Sequence, residues 1–218
     1  MDNTRAAERE EMVRKQIEAR GVTHSLTLSA MRIIPRHLFV PESYAREAYQ
    51  DYPLPIGNGQ TISQPYIVAV MTELLAPKKD DVILEIGTGS GYQAAVLAAC
   101  GARVISIERI PTVAEHAREN IRQAGVQGVT VICSDGTYGY QDNAPYNGIL
   151  ITAAAPRIPK PLLDELVEGG RLVAPEGDRE IQELVRITRQ GDEYITKRFG
   201  AVRFVPLIGR YGWKEERE

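Results

Sequence analysis

The chain has 218 residues, of which 43% are hydrophobic and 25% are charged, the usual composition of a globular protein with a sizeable core. Its 26 lysines and arginines and 29 aspartates and glutamates give a net charge of −3, which argues against a general nucleic-acid-binding surface. The longest apolar run, 94–100, is far shorter than the ~18 residues that a membrane-spanning helix needs. We therefore expect neither nucleic acid nor membranes among its partners.

The cysteines and histidines show no metal-binding pattern. Cys100 and Cys133 do not form a Cys-x-x-Cys pair, and His24, His37 and His116 lack the spacing of metal ligands. The amino-terminal residues are highly charged and lack the apolar segment of a secretory signal. We expect no metal site, a reducing environment and a cytoplasmic location.

The first third of the chain is typical of helices joined by loops. Apolar side chains recur there at helical spacing, and proline and glycine mark the ends. The predicted elements are a helix through 12–17 that ends at Gly21, a helix at 26–31 stopped by Pro35, a loop at 52–64 rich in Pro and Gly, and a helix at Pro65–Leu75 closed by Pro77. This part of the chain predicts a helical extension over residues 1–76.

Strands and helices alternate in the rest of the chain. The predicted strands are 82–86, 103–107, 129–132, 148–151 and 171–174, and the predicted helices are 92–99, 111–125 and 159–168, the last ended by Gly169 and Gly170. This alternation favours a doubly wound, Rossmann-like, mostly parallel sheet with helices on both faces. The runs 181–188, 193–199 and 202–208 have no helix between them, so we expect antiparallel strands at one edge. One domain over residues 1–218 follows, with its α/β core at 77–218.

A glycine-rich segment, Glu85-Ile86-Gly87-Thr88-Gly89-Ser90-Gly91, lies directly between a predicted strand and a predicted helix. Glycines let the backbone turn sharply and approach a ligand closely, and the helix amino terminus offers free N–H groups. In an open α/β sheet, ligands bind at the carboxyl ends of the strands, where this loop falls. The segment therefore predicts a cofactor site.

Acidic residues around this loop indicate which cofactor it binds. Tyr92 stands where a dinucleotide-binding loop would place its third glycine, and Glu108 ends the second strand, where it can accept hydrogen bonds from ribose hydroxyls. With Glu85 before the glycines, this arrangement resembles class I S-adenosylmethionine-dependent methyltransferases. The resemblance implies S-adenosyl-L-methionine as cofactor, S-adenosyl-L-homocysteine as product, and an adenine contact at Asp135-Gly136. The expected cofactor-binding residues are Glu85, Gly87, Thr88, Gly89, Ser90, Gly91, Glu108, Arg109, Asp135 and Gly136.

A second group of motifs narrows the family. The segment 53–65, with Gln60-Thr61-Ile62-Ser63 before Pro65, resembles the signature of protein-L-isoaspartate O-methyltransferases, as do the segments 35–41, 144–146, 152–156, 169–172 and 204–209. The resemblance covers roughly residues 10–213. It implies methyl transfer to the free α-carboxylate of L-isoaspartyl residues in damaged peptides and proteins, whose methyl ester then closes to a succinimide.

The same resemblance implies roles for individual residues. Ser63 is expected to be the catalytic residue that orients the acceptor carboxylate, and Gln182 to contact the cofactor. The expected substrate-binding residues are Gln60, Thr61, Ile62, Ser63, Val205, Pro206 and Leu207. A monomeric enzyme is expected.

Other interpretations stay open at this point. Ser63 precedes a predicted helix start and is a candidate helix cap. The chain could methylate another carboxylate or a small molecule, or bind the cofactor without catalysis. A nicotinamide oxidoreductase is disfavoured by Tyr92 and by the lack of a hydride-transfer motif. Three positions depart from the family pattern, namely Asn147 in place of Asp, Ser134 in place of Gly, and Glu176 in place of a small apolar residue.

Overall fold

The computed structural model describes residues 4–215 of the chain. In that range the α-helices are α1 (Ala6–Met12), α2 (Ser25–Ile33), α3 (Pro65–Leu75), α4 (Tyr92–Ala99), α5 (Pro111–Gln123) and α6 (Lys160–Asp164). The strands are β1 (Leu54–Gly57), β2 (Gln60–Ile62), β3 (Val82–Ile86), β4 (Arg103–Glu108), β5 (Val129–Cys133), β6 (Tyr146–Ile151), β7 (Leu166–Gly177), β8 (Gln182–Gln190) and β9 (Glu193–Val202).

Within the described residues, β3 to β9 form a seven-stranded sheet in the order β5-β4-β3-β6-β7-β8-β9. The strands from β5 to β7 pair in parallel, whereas β8 and β9 pair antiparallel at one edge. The chain moves outward from β3 to β5 and then returns to β6 beside β3, so the strand order reverses between β3 and β6. In doubly wound sheets this reversal opens a crevice at the carboxyl ends of the strands, which is where ligands bind.

Helices cover both faces of the sheet. Ile83 and Leu150 point to the face covered by α3 and α4, whereas Leu84 and Ile149 point to the opposite face, where they belong to the same core as Leu162 of α6. All five side chains are fully buried. Because parallel strands buried on both faces are apolar at nearly every position, their sequences read as short continuous hydrophobic runs. The predicted fold class is confirmed.

The amino-terminal helix changes its hydrogen-bonding type along the chain without a break. Helix α1 runs into a π-helical turn at Val13–Ile17 and a 3₁₀ turn at Glu18–Arg20. Gly21 then adopts φ +93° and ends the path, as predicted. Met12, Val13 and Ile17 are buried, in agreement with the expected apolar face.

The predicted loop at 52–64 was wrong, because it contains a β-hairpin. Strands β1 and β2 pair antiparallel, with Leu54 opposite Ile62. Asn58 and Gly59 form the two-residue turn, with φ of +51° and +68°. Positive φ at both positions is the geometry of a type I′ turn, which favours Asn-Gly. The high proline and glycine content of residues 52–64 masked the Asn-Gly signal of a hairpin turn.

The predicted helix at 159–168 was also too long. Helix α6 ends at Asp164, and β7 starts at Leu166. Gly169 and Gly170 therefore lie within the strand, where the register against β6 shifts between Tyr146 and Gly148. Glycine tolerates the irregular backbone of such a shift, so the pair marks a bulge and not a helix end.

The last predicted strand, 202–208, is not part of the sheet. Strand β9 ends at Val202, and the following segment makes two isolated bridges, between Pro206 and Ala154 and between Ile208 and Trp213. Proline lacks the N–H that a regular ladder needs. The strands predicted at 181–188 and 193–199 are confirmed as β8 and β9, antiparallel at the sheet edge. No helix in residues 4–215 has both the length and the apolar character to cross a bilayer.

Candidate active site

The glycine-rich loop connects β3 to α4 at the point where the strand order reverses. Gly87 has φ +96°, and a Cβ atom there would lie 2.5 Å from Oγ1 of Thr152. Thr152 follows β6 and donates a hydrogen bond from Oγ1 to the carbonyl of Ile86 at 3.1 Å. This close approach holds the loop against the neighbouring strand, so only glycine fits at position 87.

Glu108 holds the loop from the end of β4. Its Oε2 accepts the N–H of Gly89 at 3.0 Å, and its Oε1 accepts the N–H of Ile110 at 3.0 Å. The side chain is buried but lines the cavity beside the loop. An ionised carboxylate has about four acceptor sites, so Glu108 keeps capacity for ribose hydroxyls.

Glu85 lies beneath the loop and does not line the cavity. The Ser106 hydroxyl donates to Glu85 Oε2, and Ser106 Oγ is also 2.6 Å from Oγ1 of Thr88. Glu85 Oε1 has no hydrogen-bond partner in residues 4–215. Burial, reinforced by the charge of Glu108, raises the pKa of Glu85 to about 8. Glu85 therefore carries a proton at neutral pH and supports the loop from below.

Gly91 and Asp135, two more predicted cofactor residues, do not line the cavity. At Gly91, a Cβ atom would lie 3.0 Å from the side chain of Ile121, so this glycine lets α4 and α5 pack closely. Asp135 accepts hydrogen bonds from Thr137 and from the N–H of Arg210, while its neighbour Gly136 lines the cavity.

Gln182 is buried, and both the nitrogen and the oxygen of its side-chain amide form hydrogen bonds to the backbone. Its Nε2 donates to the carbonyl of Asp178 at 2.7 Å, and its Oε1 accepts the N–H of Phe204 at 2.8 Å. Both contacts join β8 to neighbouring loops, so the structure gives Gln182 a place at the sheet edge and not in the cavity.

The hairpin and the start of α3 form the near wall of the acceptor side. Ser63 lies between β2 and α3, and its carbonyl accepts a hydrogen bond from Nη2 of Arg36 at 2.7 Å. The helix-cap interpretation of Ser63 was wrong, because the cap position of α3 is Gln64 and no side chain caps this helix. The Ser63 hydroxyl makes no hydrogen bond in residues 4–215, so it is free to bind a ligand.

The segment after β9 forms the opposite wall. The N–H of Ala154 donates to the carbonyl of Val205 at 2.7 Å, and the N–H of Leu207 donates to the carbonyl of Ala154 at 2.8 Å. These two bonds fix Val205, Pro206 and Leu207 beside the loop that follows β6. All three residues line the same cavity as the hairpin residues Gln60, Thr61 and Ile62.

One open cleft joins these parts. The predicted residues that line it are Gln60, Thr61, Ile62, Ser63, Gly87, Thr88, Gly89, Ser90, Glu108, Arg109, Gly136, Val205, Pro206 and Leu207. Both predicted groups, the cofactor loop and the acceptor segments, therefore meet in a single space.

Sequence reasoning did not assign several lining residues. Ile107 and Ile110 flank Glu108, and Thr152 and Ala153 follow β6. Their signal was available, because each lies within three residues of the carboxyl end of a predicted central strand. Tyr92 lines the cavity and is also a buried residue of the hydrophobic core.

The three departures from the family pattern lie away from the cavity. Asn147 Oδ1 accepts the N–H of Val82 at 2.8 Å, a bond that needs no charge. Glu176 of β7 accepts the N–H of Ile158 at 3.3 Å. Ser134 precedes Asp135 without lining the site. In the described range, no group of three or more His, Cys, Asp or Glu side chains is arranged to hold a metal ion.

Comparison with known proteins agrees with this geometry. The family described as "Protein-L-isoaspartate(D-aspartate) O-methyltransferase (PCMT)" matches residues 7–212. The protein-L-isoaspartate O-methyltransferase of Methanospirillum hungatei is 74% identical over 213 residues, covering 98% of this chain and 99% of its own. That of Methanoculleus marisnigri is 59% identical over 209 residues, covering 96% of this chain and 95% of its own.

Solved structures give the same result. A protein-L-isoaspartate O-methyltransferase superposes with a TM-score of 0.86 at 28% identity, covering 94% of this chain and 67% of its own. A Plasmodium falciparum protein solved with S-adenosyl-L-homocysteine superposes with a TM-score of 0.80 at 23% identity, covering 92% of this chain and 98% of its own, a likeness that concerns the fold. The resemblance read from the sequence is confirmed, and the chain belongs to the protein-L-isoaspartate(D-aspartate) O-methyltransferase family.

Proposed function

We propose that this protein transfers the methyl group of S-adenosyl-L-methionine to the free α-carboxylate of L-isoaspartyl residues in damaged peptides and proteins. The observation that carries the proposal is that one cavity is lined by the glycine-rich loop and Glu108 as well as by Ser63 and residues 205–207. The methyl ester closes to a succinimide more readily than the free acid, because methoxide leaves more readily than oxide. Hydrolysis of the succinimide then regenerates some normal aspartate.

The residues on the loop side fit the cofactor. Glu108 has spare acceptor capacity for two ribose hydroxyls, and the N–H groups of the loop lie at the amino terminus of α4. Ile107 and Ile110 offer an apolar surface for the adenine ring of the cofactor. Bound S-adenosyl-L-methionine supplies a methyl group on a positively charged sulfur, so the methyl is already activated for transfer.

The residues on the acceptor side need only bind and orient. A carboxyl group with a pKa of about 3.5 is ionised at neutral pH, so no general base is required. The free hydroxyl of Ser63 donates a hydrogen bond that orients the carboxylate toward the cofactor. Orientation of two reactants in one site contributes as much as ~7–11 kcal/mol to a rate enhancement. The proposed acceptor-side residues include no general base, which is consistent with this chemistry.

Peptide binding uses backbone as well as side chains. Thr61 and Ile62 of β2 line the cavity together with Val205, Pro206 and Leu207. Extended segments of this kind bind a peptide through main-chain hydrogen bonds, which are insensitive to side-chain identity. Such recognition suits an enzyme whose substrate is a damaged residue in varied sequences.

We also propose that residues 1–218 act as one domain and as a monomer in the cytoplasm. The walls of the cavity come from both the helical extension and the α/β core, which supports a single functional unit. Cys100 and Cys133 are both free thiols, which is typical of a reducing compartment.

The test is radiolabelled methyl transfer to an isoaspartyl peptide beside the same peptide with normal aspartate. We expect base-labile label on the isoaspartyl peptide alone. Equal labelling of both peptides, or of neither while a small carboxylic acid is labelled, would favour a methyltransferase with another acceptor.

A further inference from the structure

Arg36 is a fully buried arginine beside the acceptor side of the cavity. It lies in a 3₁₀ turn, Arg36–Phe39, and has no exposed surface. Its Nε donates to the carbonyl of Ala48 at 2.7 Å, and its Nη2 donates to the carbonyl of Ser63 at 2.7 Å. Its guanidinium carbon lies 4.9 Å from the ring centroid of Tyr92. Arg36 therefore contacts two residues, Ser63 and Tyr92, that line the cavity.

The charge of Arg36 has no partner of opposite sign. In residues 4–215 Arg36 forms no ion pair, and its Nη1 has no hydrogen-bond acceptor. Burial lowers the pKa of Arg36 to about 10, so the side chain remains a cation at neutral pH. Two carbonyl oxygens and an aromatic ring compensate only part of the cost of burying a charge. An arginine that served packing alone would be expected to have a carboxylate partner, as buried charges usually do.

We propose that Arg36 is the buried counter-charge for the acceptor carboxylate and that it positions Ser63 through its carbonyl. This inference rests on the proposed function, which brings an anion to the free hydroxyl of Ser63. The cation then has a partner of opposite sign when substrate is bound. Because methyl transfer converts the carboxylate to a neutral ester, the same residue favours substrate over product.

The test compares ligands that differ only in charge. S-Adenosyl-L-homocysteine-loaded protein is titrated with an isoaspartyl peptide and with the same peptide carrying the neutral amide of that carboxylate. The loaded state matters because the product thioether has no positive sulfur, so the cofactor adds no charge preference of its own. Arg36→Gln keeps a hydrogen-bond donor without the charge, and Arg36→Lys keeps the charge.

We expect Arg36→Gln to weaken binding of the carboxylate peptide at least about tenfold and to leave binding of the amide peptide nearly unchanged. Arg36→Lys is expected to retain most of the affinity. In methylation assays, the loss in Arg36→Gln is expected mainly in KM for the peptide. Arg20→Gln is the matched control, because Arg20 also stacks on a tyrosine, Tyr66, at 3.4 Å but pairs with Asp51.

Equal weakening of both peptides in Arg36→Gln would overturn the proposal and leave a purely structural arginine. If Arg36→Gln fails to fold, the wild-type protein decides, since equal affinity for the two peptides would also overturn it. A wild-type protein that does not methylate the isoaspartyl peptide overturns the proposed function, and this inference with it. Methylation by the wild type with no charge preference overturns the role of Arg36 alone.

Discussion

The carboxylate of Glu108 accepts the N–H of Gly89 at 3.0 Å and so ties the end of β4 to the glycine-rich loop that follows β3. The same carboxylate accepts the N–H of Ile110, which fixes the chain as it enters α5. One side chain therefore sets the shape of the loop and offers acceptor sites to a ligand. We therefore expect loop geometry and cofactor binding to be coupled through this residue.

Glu108→Ala should weaken binding of S-adenosyl-L-homocysteine by about 1.5–3 kcal/mol, the range for hydrogen bonds to a charged group. Isothermal titration calorimetry measures the change. Glu115→Ala is the matched control, because Glu115 lies on α5 with its side chain 75% exposed and pairs with Arg118. Wild-type affinity in Glu108→Ala would mean that the carboxylate only supports the loop.

Gly89→Val should abolish most of the cofactor affinity. Gly89 has φ +54°, and the nearest atom to a Cβ there is Cδ1 of Ile56 at 3.8 Å, so a side chain would occupy the cavity. The left-handed backbone also costs a non-glycine residue about 1–2 kcal/mol of stability. Gly125→Val separates the two effects, since Gly125 has φ +66° and open space around it. Calorimetry is expected to show similar losses of stability in both variants but lost binding in Gly89→Val alone.

The parallel core was predictable from the sequence because its strands are short, apolar and separated by clear helix signals. Strands β3 and β4 began at the predicted residues, since glycine and charged residues bound them sharply. The hairpin at β1 and β2 was missed, because the same Pro-Gly-Asn composition marks both loops and tight turns. Helix α6 was overextended, because a glycine pair ends helices as readily as it forms a bulge.

The lining of the cavity was predictable where it depends on position at a strand end, as for Gly87 and Glu108. It was not predictable where a side chain is engaged by distant segments. Asp135 is held by the N–H of Arg210, and Gln182 by that of Phe204, contacts that only the folded chain creates. Arg36 escaped notice for the same reason, because nothing local to its sequence reveals contact with Ser63.

Stability should fall as pH rises through the range in which Glu85 loses its proton. The pKa of Glu85 is raised from 4.5 to about 8, so the folded state holds a proton that the unfolded state has lost. The stabilisation is complete below pH about 4.5 and disappears as pH rises to about 8, with a slope of up to ~1.4 kcal/mol per pH unit. Glu85→Gln should flatten this part of the profile of free energy of unfolding against pH. The exposed Glu183→Gln variant should keep the wild-type slope.

Asp135→Asn should raise KM for the peptide while the affinity for S-adenosyl-L-homocysteine changes little. Asp135 accepts the N–H of Arg210 at 2.8 Å, and the Thr137 hydroxyl it also binds accepts the N–H of Tyr211 at 3.1 Å. These hydrogen bonds fix the turn that follows Leu207, a residue that lines the cavity. Thr137→Val removes the hydroxyl that accepts the N–H of Tyr211 and leaves the bond between Asp135 and Arg210, so it should raise KM for the peptide in the same direction. A selective loss of cofactor affinity in Asp135→Asn would instead support the predicted adenine contact.

Ser63→Ala should lower turnover at saturating peptide by roughly 10- to 100-fold, the worth of one hydrogen bond to a charged group. The Ser63 hydroxyl has no partner in residues 4–215 and caps no helix, so its removal should leave the melting temperature within experimental error of the wild type. Affinity for S-adenosyl-L-homocysteine should also stay unchanged, because the loop and Glu108 are untouched.

Ser63→Thr keeps the hydroxyl but adds a methyl group beside Arg36 and the cavity, and its turnover should be intermediate. Ser29→Ala on the exposed face of α2 controls for the loss of a hydroxyl. Full methylation rates in Ser63→Ala would remove Ser63 from the catalytic mechanism and leave the acceptor carboxylate to be oriented by backbone groups of the hairpin and by Arg36.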